Sequence, residues 1–332
     1  MFQKSIDFLA IGDITTDAFI RIEDASVHCI LNTERCELCM RFGDKVPFEY
    51  VKIIKAVGNS ANASVVAARL GLRSSLVANI GDDQNGSDCL AKLKEENVKT
   101  TYIKKHDQKP TNYHFVLWYD VDRTILVNHV EYEYHLPTIS PTPKWVYLSS
   151  LASNTEAYHG RIAEWLKINP EIKLAFQPGT FQMKLGINKL KDIYIRTEVF
   201  FVNVEEAQRI LNTKSSDIKE LLAELHAYGP KIVIITDGPK GSYMLDGEHF
   251  YFMPIYPDPK PPVERTGCGD SFAATFVSAL IMGKSPLEAF VWAPVNPMSV
   301  IQYVGAQEGL LTKEQVEWWL SRAPGDYKVR EI

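Results

Sequence analysis

The sequence predicts an α/β fold built on a mainly parallel sheet, and two observations carry that expectation. From about residue 58 onward, short β-branched runs alternate with helix-period stretches, the rhythm of repeated βα units. The run 231–236 (KIVIIT) is apolar throughout its centre, as suits a strand covered on both faces of a parallel sheet. A third observation adds a smaller element. Residues of about 18–57 and 99–135 hold strand-like runs with no helix between them, which predicts a β lid inserted in a single domain spanning 1–332.

Taken in order, residues 75–80 read as a strand and 85–96 as the helix after it. Strand 145–149 leads to helix 156–168. Strands 173–176 and 198–202 follow, with helices at 205–211 and 217–228 ahead of the apolar strand 231–236. The proline-dense stretch 253–262 continues neither a helix nor a central strand, so it reads as a connector. In the lid, 111–119 and 124–130 are the clearest strands. Along the first, Tyr113, Phe115 and Leu117 alternate with His114, Val116 and Trp118, so both faces need cover. One face suits a substrate cleft, and the other suits a second subunit, giving an expected homodimer through the lid. Packing of that face on the main domain is the simpler alternative.

Bulk properties narrow the partners. The net charge of -5 leaves no basic surplus to offset phosphates, which argues against a nucleic-acid or anionic-membrane partner. The apolar helix candidate 272–282 is too short for a bilayer, and the first strand runs into Asp13 and Asp17, unlike a signal peptide. A cytoplasmic protein is expected. Five cysteines, an odd number, do not suggest a disulfide framework. Cys36 and Cys39 have zinc-knuckle spacing with Cys29 and His28 nearby, but no second ligand pair follows. Reduced thiols are the expectation and a metal site the alternative.

The strongest chemical signal is Arg265-Thr266-Gly267-Cys268-Gly269-Asp270-Ser271 ahead of a small-residue helix. Glycines at a helix start leave backbone amides free to hold an anion. An aspartate there would repel a bound phosphate, unless it accepts the proton of an attacking hydroxyl while the amides stabilise the moving phosphoryl group. The same aspartate also suits a plain helix cap, and the run by itself leaves both open.

The segment resembles the second signature of the ribokinase-like (PfkB) carbohydrate kinases, whose pattern is Asp-Thr-x-Gly-Ala-Gly-Asp. Other stretches are similar to that family in the family's order. Ile11-Gly12-Asp13-Ile14-Thr15-Thr16-Asp17 resembles its substrate-gripping first strand and turn, and Gly58-Asn59-Ser60-Ala61-Asn62 its Gly-Gly-x-x-x-Asn region. Gly81 to Gly86 resembles its Gly-x-Asp-x-x-Gly turn. Asn203-Val204-Glu205-Glu206 resembles the Asn-x-x-Glu motif, and Thr236-Asp237-Gly238-Pro239-Lys240-Gly241 the nucleotide loop.

The resemblance implies a ribokinase-like three-layer sandwich, a mainly parallel central sheet with a small β-sheet lid, and an ATP-dependent kinase acting on a sugar hydroxyl. It implies Asp270 as the base, with Gly267, Cys268 and Gly269 supplying amides. Asp13, Asp17, Gly58, Asn59 and Asn62 would hold substrate hydroxyls. Asn203 and Glu206 would position Mg2+ through water. Thr236, Gly238 and Gly241 would line ATP, and Asn296 falls where the family approaches the adenine.

Four departures stand out. Val57 replaces the first glycine of the expected pair. Glu264-Arg265 replaces the Asp-Thr that lies near a monovalent cation in relatives, which puts potassium activation in doubt and makes Arg265 a candidate substitute charge. Cys268 replaces a common alanine. Gln177-Pro178-Gly179 stands where many relatives carry Asp-Pro-Asn.

A sugar such as ribose or fructose is the first expectation for substrate. A nucleoside is the alternative, since Tyr113, Phe115, Trp118 and Tyr119 offer rings to stack on a base. A phosphosugar is less favoured because the 58–62 segment carries Asn and Ser rather than Lys, although Lys55 and Arg123 keep that option open. A non-catalytic sensor on the same fold would have no need of Asp270. A dinucleotide oxidoreductase is disfavoured, because Gly12 is followed by Asp13 and Thr15 rather than further glycines.

Overall fold

The computed structural model describes residues 5–29, 36–120 and 122–332, so part of the expected lid segment lies outside the described residues. The chain opens with β1 (Ile6–Ile11) and β2 (Thr15–Ile22), then a hairpin of β3 (Ser26–Cys29) and β4 (Cys36–Cys39). Strand β5 (Phe48–Val57) leads into α1 (Asn59–Arg69), followed by β6 (Ser74–Gly81), α2 (Gln84–Glu95) and β7 (Lys99–His106). Strands β8 (Tyr113–Tyr119) and β9 (Asp122–Leu126) come next. The βα rhythm then resumes with β10 (Pro143–Leu148), α3 (Glu156–Ile168), β11 (Lys173–Phe176), α4 (Thr180–Leu185) and α5 (Lys191–Arg196). It continues through β12 (Thr197–Asn203), α6 (Val204–Leu211), α7 (Ile218–Ala227) and β13 (Ile232–Thr236). An antiparallel pair, β14 (Ser242–Asp246) and β15 (His249–Met253), precedes α8 (Cys268–Ile281), α9 (Pro286–Trp292), α10 (Val295–Val300), α11 (Lys313–Leu320) and the short β16 (Arg330–Glu331).

Ten strands form one sheet in the order β16-β15-β14-β13-β12-β11-β10-β1-β6-β7, parallel from β7 to β13 and antiparallel beyond. Alternate side chains of its strands feed two cores. Phe8 and Ala10 join the core under α1, α8 and α9, while Leu9 and Ile11 join the one under α3, α5 and α7. Helices therefore cover both faces, which is why Ile232 to Ile235 is apolar at every position. From β1 the chain winds outward through β6 and β7, then returns to β10 on the other side. That reversal opens a crevice at the carboxyl ends of β1 and β10, where doubly wound sheets bind ligands.

A second sheet, β5-β2-β8-β9, projects from this edge; β2 pairs parallel with β8 and antiparallel with β5. Lys99–His106, expected in the lid, is instead the edge strand of the large sheet, because it follows helix α2 as a crossover partner of β6. Cysteine chemistry also differs from expectation. The β3–β4 register sets Cys29 opposite Cys36, and the two form a disulfide, leaving Cys39 free. Among the described residues no group of three or more His, Cys, Asp or Glu side chains could hold a metal, so the zinc alternative has no ligand set there. No helix among them is long and apolar enough to cross a membrane.

Candidate active site

Helix α8 begins at Gly267, whose φ of 85° is left-handed and which has no side-chain cap. A Cβ there would lie 2.3 Å from that of Ala306, so only glycine fits. The amides of Cys268, Gly269 and Asp270 in the first turn find no acceptor among the described residues. Small residues on the facing helices (Ala61, Ala63, Ala67 on α1; Ala273, Ala274 on α8) bury completely and let the two backbones approach. Their starts therefore meet. Asn59 and Asn62, three residues apart on one face of α1, donate to Asp270 Oδ1 at 2.7 Å and Oδ2 at 2.8 Å. Gln177, just past β11, adds a donor to Oδ1 at 3.3 Å. Burial pushes the Asp270 carboxyl up, and the Asn62, Asn59 and Gln177 amides pull it back.

Gly58 precedes α1 with φ 105°, and a Cβ there would lie 2.8 Å from the Asp13 carbonyl oxygen. The strained neighbour is Ala56, at φ 58°, while Val57 simply ends strand β5 in pairing with Thr15.

Asp13 follows β1 and is anchored by its amide, which donates to the Ser150 carbonyl at 2.9 Å. Its carboxylate accepts the Tyr134 hydroxyl at 2.8 and 2.9 Å and lies 3.5 Å from His129 Nδ1. Asp17 stands opposite His114 in the β2–β8 register, with Nδ1 3.4 Å from Oδ1, and that oxygen has no hydrogen-bond donor. His129 is placed by Asn112, whose Oδ1 accepts the Val130 amide while its Nδ2 donates to the Ile14 carbonyl. The two histidine rings are 5.3 Å apart, and Phe181 of α4 meets His129 edge-on at 5.6 Å.

Asp13, Asp17, His114, His129 and Phe181 line a cavity of about 500 Å³ that reaches to Asp270, Asn203 and Glu206. A second cavity of about 560 Å³ adjoins it, lined by Thr236, Gly238, Gly241 and an apolar wall of Ile255, Tyr256, Pro297 and Met298. Gly241 is left-handed at φ 109°, and a Cβ there would sit 2.6 Å from the Met253 carbonyl oxygen. Arg123, Asn203, Arg265, Cys268 and Gly269 line both cavities. The free α8 amides therefore stand between them, with Asp270 on the inner side.

Asn203 caps α6, its Oδ1 accepting the Glu206 amide at 2.8 Å while Glu206 Oε2 accepts the Asn203 amide at 2.9 Å. Burial, with the Asp270 charge, pushes the Glu206 carboxyl up. The other Glu206 oxygen makes no such bond, and a half-buried carboxylate beside a cavity suits a cation held through water.

Asn296 does not join the site. It is fully buried, donates to Thr275 Oγ1 and accepts the Leu311 amide, both at 2.8 Å, and lines neither cavity. Its neighbours Pro297 and Met298 face the second cavity instead. The lid rings also depart from expectation. Only His114 of the 113–119 strand lines the cavity. Phe115 points to the opposite face, and Trp118 is buried beneath Arg21, whose guanidinium lies 4.4 Å from its ring. His114, His129 and Phe181 were not legible as site residues, because they reach the cavity from a lid strand, a lid loop and helix α4 that carry no motif.

Residues 24–313 match the family described as pfkB family carbohydrate kinase. The chain belongs to that family. Among curated relatives, the ribokinase of Bacillus subtilis is 26% identical over 271 residues, covering 80% of this chain and 87% of its own. A nucleoside kinase of Methanothermobacter thermautotrophicus is 28% identical over 236 residues, covering 68% and 72%. The ribokinase of Arabidopsis thaliana, solved with ribose and ATP, superposes with a TM-score of 0.77 at 21% identity over 96% of this chain and 99% of that one. The fold is ribokinase-like. This PfkB kinase is a phosphotransferase with an alcohol group as acceptor, in a family of ATP-using sugar and nucleoside kinases.

One family feature does not fit. Both oxygens of Glu264, fully buried, turn back onto backbone amides, Oε2 to Thr266 and Oε1 to Gly305, each at 2.8 Å. Where the resemblance implies a monovalent cation beside a shorter aspartate, both oxygens of this carboxylate accept backbone amides. The Arg265 side chain is exposed and lines both cavities, so it points away from that loop.

Proposed function

We propose that this kinase transfers the γ-phosphate of ATP to a hydroxyl of a sugar such as ribose or fructose, with Asp270 as the base. The observation that carries this reading is the position of Asp270. Its carboxylate lines the polyol-suited cavity, and its helix start turns free amides toward the adjoining one. A hydroxyl bound in the inner cavity would give its proton to Asp270 as its oxygen bonds to phosphorus. The bond from phosphorus to the bridging oxygen breaks, ADP leaves, and the Cys268 and Gly269 amides stabilise the transferring oxygens. Asp13, Asp17, Asn59, Asn62 and the Gly58 backbone supply both acceptors and donors, which a polyol needs. Thr236, Gly238 and Gly241 would border ATP, with its base on the apolar wall. Mg2+, held through water by Glu206 with Asn203 beside it, would neutralise phosphate charge.

A nucleoside is the second reading, and the His114–His129–Phe181 ring cluster supports it, since a flat base can lie on such a wall. For a phosphosugar, Lys55 pairs with Asp88 outside the cavity, while Arg123 lines it and keeps that option open. A cytoplasmic location follows from the need for an ATP pool. We also infer a homodimer through the lid. Its outer face sets Ile53 and Phe115 on either side of Ala18, with Leu126 beyond, and these are 55%, 46% and 51% exposed.

The experiment is ATP consumption with pentoses, hexoses and nucleosides, repeated with Asp270→Asn. Turnover with one acceptor class, lost in the variant, supports the reading. An Asp270→Asn enzyme as fast as wild type would overturn it.

A further inference from the structure

Gln177 joins Asp270 to a residue that no motif marks. Its Nε2 donates to Asp270 Oδ1, and its Oε1 accepts the hydroxyl of Tyr147 on β10. An ionised carboxylate only accepts, so the Gln177 amide must turn its NH2 toward Asp270 and its oxygen away. That oxygen needs a donor, and the buried Tyr147 phenol supplies one. Burial, with the Asp270 charge, pushes the phenol well above its usual range, so the donor proton stays in place. Tyr147 has little freedom of its own, because its ring stacks on Phe8 at 5.5 Å within the β1–β10 pair. Each link fixes the next.

The other side of Asp270 is held in the same way. Asn62 Oδ1 accepts Gln307 Nε2 at 3.0 Å, which leaves the Asn62 NH2 for Asp270. The carboxylate is thus clamped from α1 on one side and from the end of β11 on the other. Tyr147 of β10 and Glu206 of α6 face Asp270 electrostatically, as does Cys268 of its own helix. Asp13, Asp17, His114, His129, Lys184, Arg123 and Arg265 line the same cavity.

We propose that Gln177, keyed by Tyr147, is a positioning residue that holds the Asp270 carboxylate in the orientation from which it accepts the substrate proton. The functional half of this inference rests on Asp270 being the base.

The test follows Asp270 without any substrate. Protein labelled with 13Cγ-aspartate is titrated by NMR, the Asp270 signal being assigned by its loss in Asp270→Asn. Gln177→Met keeps the length and removes both polar ends; Tyr147→Phe removes only the hydroxyl. The expected result is an Asp270 midpoint moved to higher pH in both, with the double variant no further displaced than Gln177→Met. With ATP and whichever acceptor supports turnover, kcat of Gln177→Met should fall about tenfold with KM for ATP unchanged. An unmoved midpoint in Gln177→Met, or additive displacements in the double variant, would overturn the proposal. Full activity in Asp270→Asn would instead remove the base reading, while the titration still reports on the clamp.

Discussion

Asn62 of α1 donates to Asp270 Oδ2 at 2.8 Å, joining two helix starts that lie 208 residues apart in sequence. Asn62 is the donor to Oδ2, while Asn59 and Gln177 both donate to Oδ1. Burial of the carboxylate without its amide donors would favour the neutral acid, which cannot take a proton.

Asn62→Ala should therefore lower kcat/KM by about 10- to 100-fold, the range for a lost hydrogen bond to a charged group. Steady-state kinetics beside a melting curve checks this. A loss below about twofold with an unchanged melting temperature would refute it.

Cys268→Ala should keep most of the activity, because the amide rather than the thiol faces the phosphate path. Burial, with the Glu264 charge, pushes the thiol up to about 12, so almost no thiolate exists at neutral pH. The wild-type Cys268 should accordingly resist iodoacetamide at pH 7 when followed by mass spectrometry. Cys268 is half-exposed at the two cavities, so resistance would reflect the raised thiol rather than lack of access, and rapid alkylation would contradict it.

Potassium should change the rate little. Both Glu264 oxygens are turned back onto the Thr266 and Gly305 amides, which fixes the carboxylate there. Titrating potassium against tetramethylammonium at constant ionic strength should shift kcat by less than about twofold. Strong activation would show that the loop opens.

Phe115→Asp should convert the proposed dimer to monomer, since a charge placed on the outer lid face opposes its burial. Light scattering after gel filtration gives the mass directly. A wild-type monomer at micromolar concentration would end the dimer inference.

Acid stability should depend on Glu96. Burial opposes its ionisation, but Arg69 donates to it twice at 2.8 Å and Lys92 at 2.7 Å, and the carboxyl falls from 4.5 to about 2. A depressed carboxylate stabilises the fold fully above its unfolded value and loses that contribution as pH falls through the folded one. Glu96→Gln should thus cost on the order of 2 kcal/mol at pH 7 and little near pH 2, read from urea midpoints. An equal cost at both would exclude ionisation as the source.

The parts of this kinase legible in sequence are those where local chemistry and position coincide. The glycines at 58, 241 and 267 and the carboxylates at 13 and 270 sit at turns or helix starts, and strand ends deliver them whatever the rest of the chain does. The apolar run 231–236 likewise announced its own burial, whereas Lys99–His106 did not, because a half-exposed edge strand resembles a lid strand until its partner is known. Asn296 shows the limit of reading by position: one residue from a cavity wall, its amide turned inward to Thr275 and Leu311. The Asp270 that the glycine-rich run offered as either cap or base acquired its surroundings only in three dimensions. Tyr147, Gln177, His114 and His129 come from four separate segments, and pairing register and side-chain orientation decide what they touch. Those are properties of the assembled sheets, since a contact between distant residues depends on packing that no single stretch of chain encodes.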